Sequence, residues 1–375
     1  LRLAPATGES RPQESQPFRR NAGPQRILWA ALARRRGKPE DAAALLVGDG
    51  PGDDPVAWNA LKSKIADALG DSDAAFDAAT AMNRAAIDRA VPAARREEWE
   101  RANSEYREEQ RALARTITPE WAAKVPLLDE PARGRVAFLL GFPRSGTTLL
   151  DTFLLGHPDV DVLEDKQLVA AARQVTGPIE TLPDVSIDAL RKARSTYFER
   201  LAEHVGPEFT GLAVDKFPLD MGVAPLIQAI FPRAPLIFVQ RHPCDVVLSG
   251  FLQPFGMVNF SDIGDAADYY DAMMQIWTAS REAMDLNVHD VVYEDLVRAP
   301  EPVLRPLVQF LGLDWDEKIL DHQHTAKTRG TIVTPSYDQV TEPLSTRPSG
   351  RWKRYRKQLE PVLPLLLPWA ERLGY

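Results

Sequence analysis

Val136-Ala137-Phe138-Leu139-Leu140-Gly141-Phe142-Pro143-Arg144-Ser145-Gly146-Thr147-Thr148-Leu149-Leu150 is the stretch whose reading decides the fold. Its first five residues are apolar without alternation, which predicts a strand buried on both faces. Two glycines then frame a turn, and a helix is predicted over 147–155. A glycine-framed loop between a buried strand and a helix start presents successive backbone N–H groups, and the helix N-terminus adds partial positive charge. Ser145, Thr147 and Thr148 add hydroxyl donors. The ligand such a loop suits is a phosphate group.

Downstream, short apolar runs alternate with amphipathic stretches. Strands are predicted at 212–214, 235–240 and 291–293, and helices at 187–205, 222–230, 243–252 and 266–284. That alternation predicts an α/β fold, a P-loop-type three-layer domain with a central, mostly parallel sheet. Upstream the chain is alanine-rich and reads as all-helical. Gly37 and Gly70 close two similar stretches 33 positions apart, near the ~34-residue period of tetratricopeptide helix pairs. The expected organisation is a disordered lead-in over 1–24, a TPR-like helical region over 25–125 and one α/β domain over 126–375. The charge runs Arg95-Arg96-Glu97-Glu98 and Arg107-Glu108-Glu109 read as a solvated helix face.

Bulk properties narrow the function. With 44% hydrophobic residues among 375, a large core can form, and a net charge of −8 argues against nucleic acid as a partner. No apolar run reaches the ~18 residues of a membrane span. The single cysteine, Cys244, excludes an internal disulfide and fits a reducing compartment, so a cytoplasmic location is expected. The spacing 141–146 is G-x-x-x-x-G, but Thr147 stands where nucleoside-triphosphate hydrolases carry a lysine against the β/γ charge. A less charged ligand is implied. A second phosphate site is read at Arg241, just past a predicted strand, with Ser249 two helical turns on.

Together these two sites resemble those of the sulfotransferases, and most closely the bacterial tetratricopeptide-repeat sulfotransferases, which are similar to the protein-tyrosine sulfotransferase group. The resemblance covers about residues 135–375. It implies that Arg144, Ser145, Gly146, Thr147 and Thr148 hold the 5′-phosphosulfate of 3′-phosphoadenosine 5′-phosphosulfate (PAPS), and that Arg241 and Ser249 hold its 3′-phosphate. It further implies Glu164 as the base for the acceptor hydroxyl, Lys216 and Ser336 as stabilisers of the leaving oxygen, and Tyr293 and Arg351 beside the nucleotide. No metal is implied. Without the resemblance, Glu164 reads as a solvated loop acid and Lys216 as a strand-end lysine. Gln253 stands where the family has a second arginine on the 3′-phosphate helix, and the paired cysteines and membrane anchor of the secretory tyrosyl enzymes are missing. His157, His242, His322 and His324 read as structural or exposed.

The acceptor is a hydroxyl-bearing molecule, with peptide tyrosine, carbohydrate, lipid and small phenol all open, and the helical region offers a surface for a peptide or protein partner. Oligomeric state is not legible. Two alternatives stand beside this reading: a P-loop kinase or nucleotidase, and a binding scaffold with a degenerate catalytic domain.

Overall fold

The computed structural model describes residues 23–47, 50, 52–132, 134–206, 209–254, 260–329 and 343–375. Ser336 and nearly all of the expected lead-in lie outside the described residues. Five strands form one sheet: β1 (Arg135–Leu140), β2 (Val160–Glu164), β3 (Leu212–Lys216), β4 (Leu236–Gln240) and β5 (Val288–Val292). Their order is β2-β3-β1-β4-β5 and every pairing is parallel.

Both faces of the sheet are covered, as unbroken apolar strands require. Val136, Phe138 and Leu140 of β1 face one hydrophobic cluster, while Ala137 and Leu139 face another. The first cluster is built with α8 (Leu168–Thr176), α9 (Ile187–Val205), α10 (Ala224–Ile230), α11 (Pro243–Phe251) and α12 (Ile263–Ala283). The second is built with α7 (Thr147–Leu154), α13 (Tyr293–Arg298), α14 (Pro300–Phe310) and α15 (His322–Thr328). Strand β2 is absent from the sequence-based expectation. It is an edge strand in which Asp161, Val162 and Glu164 are only half-buried, so it lacks the solid apolar run that marks β1, β3 and β4.

The N-terminal part consists of α1 (Gly23–Arg35), α2 (Pro39–Leu45), α3 (Pro55–Ala68), α4 (Ser72–Ala90), α5 (Arg96–Thr116) and the single turn α6 (Pro119–Ala122). Gly37 and Gly70 occupy the α1–α2 and α3–α4 turns with φ of 73° and 82°, a left-handed conformation that favours glycine. Two small clusters lie within these helices, Ala30, Ala42, Leu61 and Ile65 in one and Val56, Ala60 and Met82 in the other, and further residues join the main core. Ala66, Ala75, Ala79, Leu113 and Ile117 belong to the same cluster as β1 and α12. Helix α5 with its N-cap bears out the solvated face its charge suggests at Arg95, Glu97, Glu98, Glu108 and Glu109, and departs from it at Arg107. Arg107 is buried and pairs with Asp265 and Asp268 of α12 at 2.8 Å each. The buried guanidinium is matched by two partly exposed carboxylates, and the three together tie the helical part to the sheet domain. Among the described residues no helix is long and apolar enough to cross a membrane.

Candidate active site

The strand register lines up the chemistry. Glu164 ends β2 and pairs with Lys216, which ends β3; Lys216 pairs in turn with Leu139 of β1. Gly141 follows β1, Arg241 follows β4 and Tyr293 follows β5. Each strand thus delivers one candidate group to the same C-terminal edge of the sheet. The connections leaving β1 and β4 run to opposite sides, so the crevice between these neighbours is the topological switch point, where open α/β sheets bind ligands.

The loop after β1 is built close to its neighbours. Gly146 has φ 108° and begins α7; a Cβ there would lie 2.3 Å from Cδ2 of Tyr293. Arg144 also takes a positive φ, 76°, which a non-glycine residue adopts only under constraint. The constraint is visible. The Ser145 N–H donates to Phe142 O at 3.1 Å, as does the Ser145 hydroxyl, and Arg241 Nη1 donates to the Arg144 carbonyl at 3.0 Å. A cavity of about 210 Å³ opens over this loop, bounded by Thr147, Thr148, Arg241 and Tyr293. A larger one, about 680 Å³, lies at the opposite, N-terminal edge of the sheet around Arg135 and Pro235, away from every strand C-terminus.

Two charged clusters flank α7. In the first, the Arg144 side chain turns away from the loop and donates from Nε to Ser249 Oγ at 3.3 Å. Arg144 therefore stands with Ser249, on the side of the second phosphate site that the sequence reading gave to Arg241. Arg241 Nη2 donates to Pro348 O at 2.7 Å, and its guanidinium lies 4.6 Å from the Tyr293 ring centroid. Among the described residues Arg241 Nε is buried without a partner. Burial, then the neighbouring Arg241, push the Arg144 guanidinium down to about 10, with Arg351 acting the same way. Like charges gathered in a desolvated place are costly until an anion joins them. Arg351 approaches from the far side of Pro348, where its Nε bonds Asp67 of α3 at 3.1 Å. Residue 253 lines the same cleft as a buried glutamine.

The second cluster holds Glu164 and Lys216. Lys216 is 1% exposed; its ammonium donates to Glu164 Oε1 at 2.8 Å and to Asp165 at 3.3 Å, with Asp151 at 3.7 Å. Arg329 reaches across to Asp151 and lies 3.2 Å from Glu164 Oε2. Burial pushes the Asp151 carboxyl up to about 6 against the pull of Lys216 and Arg329. Glu164 is thus no solvated loop acid: each of its oxygens faces a cation. The sequence reading missed Asp151 and Arg329. Asp151 had a signal, being the one acid in the otherwise uncharged helix 147–154, a turn beyond the loop. Arg329 had none, because it arrives from 178 positions beyond Asp151.

The histidines stay out of the site. His242 caps α11 by accepting from Cys244 N–H and stacks on Trp352, and His157 is held between Asp314 O and Asp159 N–H. Cys244 is buried and its thiol is pushed up to about 12, an inert packing group.

Comparison with known proteins agrees with this geometry. A family model described as "Sulfotransferase family" matches residues 137–317. That segment is similar to the sulfotransferases. Relatives include an uncharacterized protein of Aquifex aeolicus (strain VF5), 29% identical over 73% of this chain and 38% of that protein. Protein-tyrosine sulfotransferase 1 of Danio rerio is 28% identical over 64% of this chain and 71% of its own length. Protein-tyrosine sulfotransferase A of Caenorhabditis elegans is 25% identical over 64% and 66%. This chain therefore spans well under half of the Aquifex relative and about two thirds of the tyrosyl enzymes. Among solved structures, the sulfotransferase domain of the Synechococcus PCC 7002 olefin synthase aligns over 60% of this chain and 90% of that one, at 24% identity and a TM-score of 0.44. The matched segment 137–317 contains the loop, Glu164, Lys216, Arg241, Ser249 and Tyr293; Arg329 and Arg351 lie beyond it.

Proposed function

We propose that this chain transfers a sulfonate group from PAPS to an acceptor hydroxyl. The observation that carries the reading is the pairing, at one sheet edge, of a phosphate cradle and buried arginines with a carboxylate–ammonium couple. The residues suit such a donor. Gly146 and the start of α7 suit its 5′ end, and the orphaned Arg241 Nε with Arg144 and Ser249 suits a second phosphate. When bound, the donor supplies an activated sulfonate on a phosphate leaving group.

Glu164, oriented by Lys216 and Arg329, takes the proton from the attacking hydroxyl. Lys216 offsets the negative charge that grows on the leaving oxygen, an ammonium fixed in advance at a water-poor site. Ser336 is retained in the same role as a proposal from the resemblance alone. Tyr293 packs between the loop and Arg241 and keeps both in register. The named relatives support peptide tyrosine as the acceptor to try first. The helical part, with its two hairpins, is the surface we assign to a peptide or protein partner. A cytoplasmic location is proposed from the single, buried cysteine.

The test is calorimetry with adenosine 3′,5′-bisphosphate, together with labelled sulfonate transfer to tyrosyl peptides. Glu164→Gln should bind the bisphosphate as the unchanged protein does while losing turnover by ~10²-fold or more. Equal loss of binding and turnover would remove Glu164 from the role of base. No saturable binding by the unchanged protein would sink the reading.

A further inference from the structure

Gln253 stands where the resemblance calls for an arginine, yet the cleft beside it is strongly basic. A cavity of about 620 Å³ opens between α11 and the N-terminal helices. Among the described residues, six basic side chains line it against one carboxylate, and two of the six, Arg34 and Lys64, come from α1 and α3. The carboxylate is Asp67, one turn along α3 from Lys64. Asp67 accepts from Arg351 Nε at 3.1 Å, Arg354 Nη2 at 3.1 Å and the Tyr355 hydroxyl at 2.6 Å. On the other side of the same turn, Asp245 of α11 accepts from Gly350 N–H at 2.6 Å and Trp352 N–H at 2.7 Å. The segment carrying Arg351 is therefore held between the nucleotide helix and α3. Positive charge in this excess, half-removed from water, is matched by a ligand group of nearly two negative charges.

We propose that helix α3 completes the nucleotide site. Lys64 reads the 3′-phosphate in place of the charge missing at Gln253, and Asp67 is a positioning residue that sets Arg351 in the cleft. The inference rests on the nucleotide reading above and goes beyond it, because it makes the helical part a wall of the active site as well as a partner surface. The experiment compares two nucleotides on the full chain by calorimetry: adenosine 3′,5′-bisphosphate, and adenosine 5′-monophosphate, which lacks the 3′-phosphate. Lys64→Ala should weaken the bisphosphate about tenfold and leave the monophosphate unchanged. Asp67→Asn should lower the same affinity ratio. Because the ratio is taken within one protein, a variant that is only less stable leaves it at the parent value. A ratio that stays at the parent value in both variants overturns the proposal. Absence of bisphosphate binding by the unchanged chain would instead overturn the nucleotide reading itself.

Discussion

Gly146→Ala is the sharpest probe of how the loop between β1 and α7 is built. Two costs add. The new side chain must sit at φ 108°, which costs an L-residue ~1–2 kcal/mol. Its Cβ would also lie 2.3 Å from Cδ2 and 3.0 Å from Cε2 of Tyr293, so the ring must retreat by roughly 1 Å. The ring is itself covered by Arg241, whose guanidinium donates to the Arg144 carbonyl. It cannot retreat without disturbing that contact, and overpacking of this kind costs a further ~1–3 kcal/mol. Urea unfolding of four proteins separates the two costs: the parent, Gly146→Ala, Tyr293→Ala and the double variant. The backbone cost persists in the double variant, while the ring cost vanishes. The cycle should therefore return a coupling of ~1–3 kcal/mol. Coupling below ~0.5 kcal/mol would mean that the ring is not what requires glycine here, and the packing argument would fail. Gly146→Ala should also weaken adenosine 3′,5′-bisphosphate, since Arg241 moves with the ring.

Two further variants test the buried charges through pH. Asp215, 1% exposed, is pushed up to about 7 by burial, against the opposing pull of the Tyr197 hydroxyl. A raised acid binds more protons folded than unfolded, so its contribution to stability falls as pH rises from its ordinary value of 3.8 through 7. Asp215→Asn should therefore gain on the parent by up to roughly 3 kcal/mol between pH 5 and pH 8 in denaturant titrations, and a pH-independent difference would refute this. Arg329→Gln strips a cation from Asp151 and Glu164; unfolding at pH 7 should show a loss of ~3 kcal/mol that shrinks toward pH 5, as Asp151 takes up its proton near 6. A loss constant across that range would mean that Asp151 is not the group responsible.

The strands that carry unbroken apolar runs were legible because burial on both faces leaves no polar position to obscure them. The edge strand β2 was not, since its half-exposed residues look like a loop in one dimension. The glycine loop between β1 and α7 could be read locally, because a strand–glycine–helix junction is set by residues adjacent in the chain. Arg144 illustrates the limit: the sequence counts it with its loop, while its left-handed backbone sends the side chain to Ser249, 105 positions on.

What the sequence by itself determined is the α/β class, the central parallel strands and the glycine loop at 141–148. Those follow from short-range pattern and backbone sterics. What only the tertiary structure decided is which charges meet. Asp151 and Arg329 join Glu164 and Lys216, and Asp67 of α3 meets Arg351, through contacts that span tens to hundreds of residues. Long-range pairing of buried charges depends on where helices pack, and packing direction is absent from the linear pattern.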